Sequence, residues 1–536
     1  MRSFLPRSSL SIPRSGLSAR PWLIVGGSLA AMAGLVLLLW RPAPGRGQRE
    51  ELVLYCAAGL IKPVERISAE YQKEYGGRIR IEPGGSGTLL SKLRVAPGSA
   101  DLFLAAEDSY IREARAQGLV AEVLPVARQH AVIAVKAGNP QKIAAPADLL
   151  RPEVRVVLPN PELAAVGRAV KRALAGSGQW EALAAQTRQS AAEVSLVGTV
   201  NEAAQAVKLG AADAAIVWDS TAQIFGTQFV EIPAWEQGTM EQVTLGVVAS
   251  GEHPTQALHF ARYLAARDRG QLAFQKDHLQ PLEDADAWED RPELVLMSGA
   301  MLKPAVDDLV KQFSEREGVS INTIYAGCGI HVAQMKAMKQ GEVLPTHFPD
   351  AYFSCDVSFM RMVQQWFEAA KNISRNDMVL AVAKGNPQQV RSINDLVRPD
   401  LRVGLAHPVN SALGALTDDL LKKLGLHDKV YAPGRKHPVV HTDAGHMLVN
   451  QLRTGALDLI VVYRSNVLSY SDNPDRDLEI VDMNLPEAIA VQPYAVAKGS
   501  EHKYLMGRLL EAILAPQSQK RFRDVGFQWI AEGESR

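Results

Sequence analysis

The chain carries the same ordered set of segments twice, and this repetition restricts its fold more than any other feature. Leu52-Val53-Leu54, then Lys62-Pro63-Val64, returns as Leu294-Val295-Leu296, then Lys303-Pro304-Ala305-Val306. Gly85-Ser86-Gly87 returns as Gly327-Cys328-Gly329, and Ala100-Asp101-Leu102-Phe103 as Pro349-Asp350-Ala351-Tyr352. Gly138-Asn139-Pro140-Gln141 returns as Gly385-Asn386-Pro387-Gln388. Gly210-Ala211, Asp213 and Ile216-Val217-Trp218 return as Gly455-Ala456, Asp458 and Val461-Val462-Tyr463. The offset stays between 241 and 249 residues, in constant order. Solenoid units repeat every 20–50 residues or so, so this period marks duplication of a whole domain. The copies run over 50–287 and 291–533, and the polar, acidic join from Glu283 to Arg291 reads as a short linker.

Within one copy, short apolar runs alternate with longer amphipathic stretches. Strands are expected over Leu52–Cys56, Arg78–Ile81, Asp101–Ala105, Ala131–Val135, Val154–Leu158 and Ala214–Trp218. Helices are expected over Pro63–Tyr75, Thr88–Val95, Ser109–Gln117, Val166–Ala175 and Asn201–Leu209. Buried runs of this length alternating with helices indicate βαβ units and a mostly parallel sheet. In open α/β sheets ligands bind beyond the carboxyl ends of strands. That selects the loops Ala57–Ile61, Gly84–Thr88, Ala106–Ser109, Pro159–Gly167, Gly198–Asn201 and Trp218–Ser220. Gly84-Gly85-Ser86-Gly87 has the chemistry of an anion cradle: freed backbone N–H groups, one hydroxyl and a following helix N-terminus. A tight strand–helix turn is the simpler reading of the same residues.

The first 50 residues differ from both copies. Arg2, Arg7, Arg14 and Arg20, with no acidic residue among them, precede a chargeless run of 20 residues from Pro21 to Trp40. A helix of that length spans roughly 30 Å, one hydrocarbon core. The arginine excess holds residues 1–20 on the cytoplasmic side and sends the rest across the membrane. A cleaved signal peptide competes with this reading. Its apolar part is usually shorter, about 7–15 residues, and Trp40-Arg41-Pro42 is a poor cleavage context. The expectation is a single-pass anchor at 21–40 in the inner membrane, with the bulk of the chain periplasmic. With 58 basic and 58 acidic side chains there is no global field to attract nucleic acid. Three cysteines, Cys56, Cys328 and Cys355, exclude a disulfide framework and leave room for one bridge.

Taken in order, these segments resemble the bacterial extracytoplasmic solute-binding proteins of the molybdate-binding type. The carriers are Cys56-Ala57-Ala58-Gly59-Leu60, Gly84–Leu89, Ala105-Ala106-Glu107-Asp108, Gly138-Asn139-Pro140, and Gly210 through Trp218-Asp219-Ser220. Gly246-Val247-Val248 and His259–Leu264 resemble the family's closing segment. The resemblance covers nearly all of both copies. It implies an α/β fold of two tandem type II periplasmic-binding-protein-like modules, each with two α/β lobes, a hinge and a cleft, behind one transmembrane helix. It also implies capture of a small ligand, an oxyanion such as molybdate, for an ABC permease and its ATPase, with no cofactor and no catalysis.

The family's binding positions fall on Ala58, Gly59, Gly85, Ser86, Gly87, Val166, Val200 and Trp218 in copy one. In copy two they fall on Ala300, Cys328, Gly329, Leu413 and Tyr463, with Gly445 matching Val200. The family's first serine is absent from both copies, where Gly59 and Ala300 stand, while the second is Ser86 in copy one and Cys328 in copy two. The clefts are therefore expected to differ in specificity from the molybdate binders and from each other.

Copy two also gathers Cys328, His331, Cys355 and His407 on cleft loops, with His437, His441 and His446 further on. Thiolates with imidazoles suit a soft transition metal, and a cysteine at a helix N-terminus suits a reactive thiol. A Cys328–Cys355 disulfide, or plain core burial, accounts for the same residues without function. The alternatives to a transport role are a ligand sensor or scaffold for a membrane partner, and a metal or thiol site in copy two. No ordered nucleophile–base motif points to an enzyme.

Overall fold

The computed structural model describes residues 50–176, 178–186, 194–341, 347–469 and 478–531. The apolar run 21–40 lies outside them. Among the described residues no helix is long and apolar enough to cross a membrane.

Copy one contributes β1 (Leu52–Ala57), β2 (Ile79–Gly84), β3 (Leu102–Ala105), β4 (Val120–Gln129), β5 (Ala131–Val135), β6 (Val156–Pro159), β7 (Val194–Val197), β8 (Ala214–Trp218), β9 (Gln228–Val230) and β10 (Glu241–Val248). These form two five-stranded sheets, β2-β1-β3-β10-β4 and β7-β6-β8-β5-β9, one per lobe. Copy two contributes β11 (Glu293–Gly299), β12 (Ser320–Ala326), β13 (Ala351–Phe353), β14 (Lys371–Ala383), β15 (Val403–Ala406), β16 (Val440–Thr442), β17 (Leu459–Tyr463), β18 (Leu478–Asp482), β19 (Ile489–Val496) and β20 (Gln528–Trp529). Its order, β12-β11-β13-β19-β14 continuing into β17-β15-β16 with β18 on β14, repeats copy one strand for strand.

The sheets are mixed rather than mostly parallel. Strands β1, β2 and β3 run parallel, as do β6, β7 and β8. The strands that carry the chain between lobes run against them: β10 is antiparallel to β3 and β4, and β5 to β8 and β9. In copy one the crossing breaks at His130, between β4 and β5. In copy two β14 runs 13 residues through the same point without a break and joins both lobes into one sheet.

Burial follows the sequence patterns. Every residue of β5 and β8 is buried, as expected of strands covered on both faces. The helix Ile61–Tyr75 buries Val64, Ile67, Ser68 and Tyr71, one stripe at 3–4-residue spacing, and ends at Gly76 with φ +80°.

The expected linker is a docked segment. Asp286 accepts the backbone N–H groups of Tyr504 (2.8 Å) and Leu505 (2.9 Å), capping the helix Lys503–Leu514 of copy two. Trp288 donates its indole N–H to the Tyr75 hydroxyl of copy one at 2.9 Å. Beside it, Glu317 of copy two lies fully buried between two guanidiniums. Arg508 donates to its oxygens at 2.7 and 2.9 Å, and Arg262 of copy one stands 3.5 Å from it. The first lobes of the two copies thus pack on each other through Arg262, Glu317 and Arg508.

Candidate functional site: two closed clefts

Each copy closes its lobes over a small cavity. In copy one the N-terminal ends of four helical segments converge there: Ala58–Leu60, Ser86–Val95, Ala165–Ala173 and Val200–Lys208. The N-cap positions of the first three are Ala57, Gly85 and Ala164, and none makes a side-chain cap hydrogen bond. The first N–H groups of a helix have no intrahelical acceptor, so these ends present unpaired donors and a partial positive charge. The cavity is small and is lined by no charged side chain. Ser86 Oγ accepts the Ala106 N–H at 3.2 Å, which leaves its own proton for an acceptor.

Of the residues expected to bind, the cavity brings together Ala58, Gly59, Gly85, Ser86, Val166, Val200 and Trp218. Gly87 stands outside it. Ala57, Ala106, Ala164 and Ala165 also line it; they lie on the loops expected to face the ligand but were not singled out as binding positions. Uncapped N-terminal positions were the signal that would have found Ala164 and Ala165.

Gly85 and Gly87 work mainly by steric permission. A Cβ on Gly87 would overlap the Glu162 carbonyl oxygen of the opposite lobe, and one on Gly85 those of Leu163 and Gly198. The bare backbone lets Gly87 N–H donate to Leu163 O at 2.9 Å across the cleft. Asn201 Nδ2 donates to Ala58 O at 2.8 Å, and Arg172 to the buried Glu107 at 2.7 Å, also lobe to lobe. Copy two closes the same way, with Gly329 against Val409 O and Gly327 against Asn410 O.

The cavity of copy two is lined by Ala300, Leu413, Gly445 and Tyr463 as expected, and also by Ser411, Asp443, His446 and Asn466. Ser411 and Ala444 are N-caps without a side-chain cap bond, so uncapped helix ends face this cleft as well. Burial, with Asp356 adding to it, pushes the Tyr463 phenol well above its ordinary range, so it stays a neutral hydroxyl, and it has no hydrogen-bond partner. Burial, with Lys303 assisting, holds His446 below the usual imidazole range.

The soft-metal set in copy two is corrected. Cys328 and Cys355 form a disulfide, so neither presents a thiolate. Cys328 and Gly329 lie behind the cavity wall, and only Cys355 reaches it. His331 is buried in the core with both ring nitrogens unpartnered, and burial pushes its pKa down to about 4. His407 is not among the residues lining the cavity, and its Nδ1 accepts the Val409 N–H at 3.2 Å. Among the described residues no three His, Cys, Asp or Glu are grouped to hold a metal ion.

The two-fold pattern agrees with comparison to known proteins. A family model described as bacterial extracellular solute-binding protein matches residues 52–280 and again 294–528. A binding protein of Haemophilus influenzae is 27% identical over 210 residues, 39% of this chain and 83% of that protein. The molybdate-binding protein of Mycobacterium tuberculosis is 26% identical over 241 residues, 44% of this chain and 84% of that one. The solved periplasmic molybdate-binding protein of Azotobacter vinelandii aligns with 43% of this chain and 100% of its own, at 18% identity and a TM-score of 0.37.

Proposed function

The chain belongs to the bacterial extracellular solute-binding proteins, as two copies in tandem, and we propose from this that it captures small anions outside the cytoplasm for an ABC-type importer. The observation that carries the reading is the set of uncapped helix N-termini around a small cavity that no charged side chain lines. Such a site neutralises an anion with N–H dipoles and hydroxyls alone. The similarity to molybdate-binding proteins supports a tetrahedral oxyanion as ligand.

In this reading the apolar run 21–40 tethers both modules to the inner membrane, within reach of a permease and its ATPase. Copy two takes a different ligand, because Asp443, His446 and Asn466 line its cavity where Gly198, Asn201 and Thr221 stand at the matched positions of copy one.

Calorimetric titration of the purified full chain with molybdate, tungstate, sulfate and phosphate tests the reading. Saturable binding of at least one oxyanion, with a rise in melting temperature, is the expected result. No heat and no shift with any of the four would sink it.

A further inference from the structure

Thr221 has no assigned role, yet its Oγ1 is the polar atom nearest the bare face of Gly59. The residue is 1% exposed, and its hydroxyl has no hydrogen-bond partner. A Cβ on Gly59 would stand 3.1 Å from Thr221 Oγ1 and 3.1 Å from Val200 Cγ1. Gly59 and Val200 both line the cavity, and the hydroxyl stands directly behind the bare face of Gly59, outside the lining itself. A buried hydroxyl left unpaired is costly, and such groups ordinarily find a partner. A helix threonine commonly satisfies itself on a carbonyl one turn back, and Thr221 does not.

Copy two supplies an independent observation at the matched position. Trp218 and Tyr463 pair with Ala131 and Met378 at equivalent points of the crossing strands, and three residues on stand Thr221 and Asn466. Asn466 lines the second cavity directly. Its Oδ1 accepts the Tyr463 N–H at 3.3 Å, which leaves the amide N–H groups for an acceptor.

We infer that this position, third after the crossover aromatic, is the specificity position of both clefts: Thr221 gives a hydroxyl to the anion in copy one, and Asn466 gives a carboxamide to the ligand in copy two. The inference rests on the proposed function and names the side-chain donors that distinguish the two sites. Copy one then selects an oxyanion whose oxygens are fully served by N–H groups and hydroxyls. Copy two selects a ligand that also has acceptors for an amide.

The test is titration of the intact chain carrying Thr221→Val, which removes the hydroxyl at constant shape, beside Thr221→Ser, which retains it. The probes are molybdate, sulfate and phosphate. Thr221→Val is expected to weaken one isotherm tenfold or more and to leave any second isotherm unchanged. Its ligand-free melting temperature should stay equal or rise, and Thr221→Ser should bind within about twofold of wild type. Wild-type binding of a probe with equal affinity in Thr221→Val overturns this assignment alone. A lowered ligand-free melting temperature at unchanged affinity also overturns it, in favour of a packing role. Absence of binding in the wild-type chain overturns the proposed function and this assignment together.

Discussion

His130 and Asp219 form an ion pair across the hinge of copy one, with Nδ1 3.2 Å from the carboxylate, and the matched pair in copy two has the opposite polarity. His130 precedes Ala131 on the crossing strand, and Asp219 follows Trp218 on its partner. At the same places copy two has Asp377 and Arg464, 3.5 Å apart. A third residue joins each pair from the next strand: Glu231, 2.9 Å from His130 Nε2, and Asp482, which pairs with Arg464. The contact has been retained with its charges exchanged, as expected where attraction across the hinge matters more than which strand carries which sign.

The exchange makes only the first hinge sensitive to mild alkali. Asp219, with Glu231 adding to it, pushes the His130 pKa up to about 9, against the pull of burial. A folded pKa raised above an unfolded value of about 6.5 gives stability that is complete below pH 6.5 and is lost as pH rises through 9. Copy one is therefore expected to lose roughly 1–2 kcal/mol between pH 6.5 and 9.5, a value reduced from full linkage for solvent screening. His130→Gln should flatten that dependence. An imidazole that titrates near 6.5 by NMR would refute the assignment.

The cleft glycines predict a selective loss of closure. Gly87→Ala places a methyl group on the Glu162 carbonyl, and Gly329→Ala places one on that of Val409. Each substitution blocks docking of one lobe on the other while the lobes themselves stay folded. Ligand affinity at the altered cleft should fall by at least tenfold with little change in secondary structure. Small-angle scattering should report a more open chain. Unchanged affinity in Gly87→Ala would show that closure tolerates the methyl group.

Much of this architecture was legible in the sequence, for definite reasons. The duplication sets the strand order of both copies, and apolar runs such as Ala131–Val135 carry their own periodicity. Val166, Val200 and Leu413 reach the cleft through backbone position, which the order of elements conveys. What escaped depends on contacts between lobes. Nothing local distinguishes a glycine that cradles an anion from one that yields to a facing carbonyl, and only the structure shows that Gly87 is the second kind. The loop expected after β8 ended at Ser220, one residue short of Thr221, because a helical residue past the turn reaches the cleft wall only through tertiary packing. The segment 283–291 reads as a linker from its charges, yet Asp286 uses that charge to cap a helix of copy two.

The disulfide yields a prediction confined to copy two. Cys328 and Cys355 stand where copy one has Ser86 and Ala106, and copy two also has Gly299 where copy one has Ala57, because the helical segments Ala58–Leu60 and Ala300–Leu302 coincide and place Met301, not Ala300, opposite Gly59. A Cβ on Gly299 would overlap Cys355 Sγ, so the three positions have changed together. The bridge spans 27 residues. Closing a loop of that size constrains the unfolded chain by about 3 kcal/mol. Cys328→Ser with Cys355→Ala should lower the urea stability of copy two by roughly 2–3 kcal/mol and leave copy one unaffected. Equal midpoints with and without reductant would contradict this.

The strongest dependence on a single side chain is expected at Glu317. Burial alone would raise its pKa, but Arg508 and Arg262 outweigh burial and hold the carboxyl below its ordinary range. A depressed folded pKa gives stability that is present above the unfolded value, about 4.3, and is lost as pH falls through the folded one. Glu317→Ala removes the anion and leaves two buried guanidiniums facing each other, Arg262 from copy one and Arg508 from copy two. Removing one partner of a buried ion network typically costs about 3–5 kcal/mol, because the remaining charge is desolvated and unpaired. Here that cost falls between the copies, so the contact between first lobes should loosen and the unfolding transitions of both copies should move to lower temperature. Glu317→Ala with Arg262→Met and Arg508→Leu should recover much of the loss, since apolar groups of similar volume can replace a buried triad at little cost. Calorimetric transitions in Glu317→Ala at the wild-type temperatures would show that the copies are held together by other contacts.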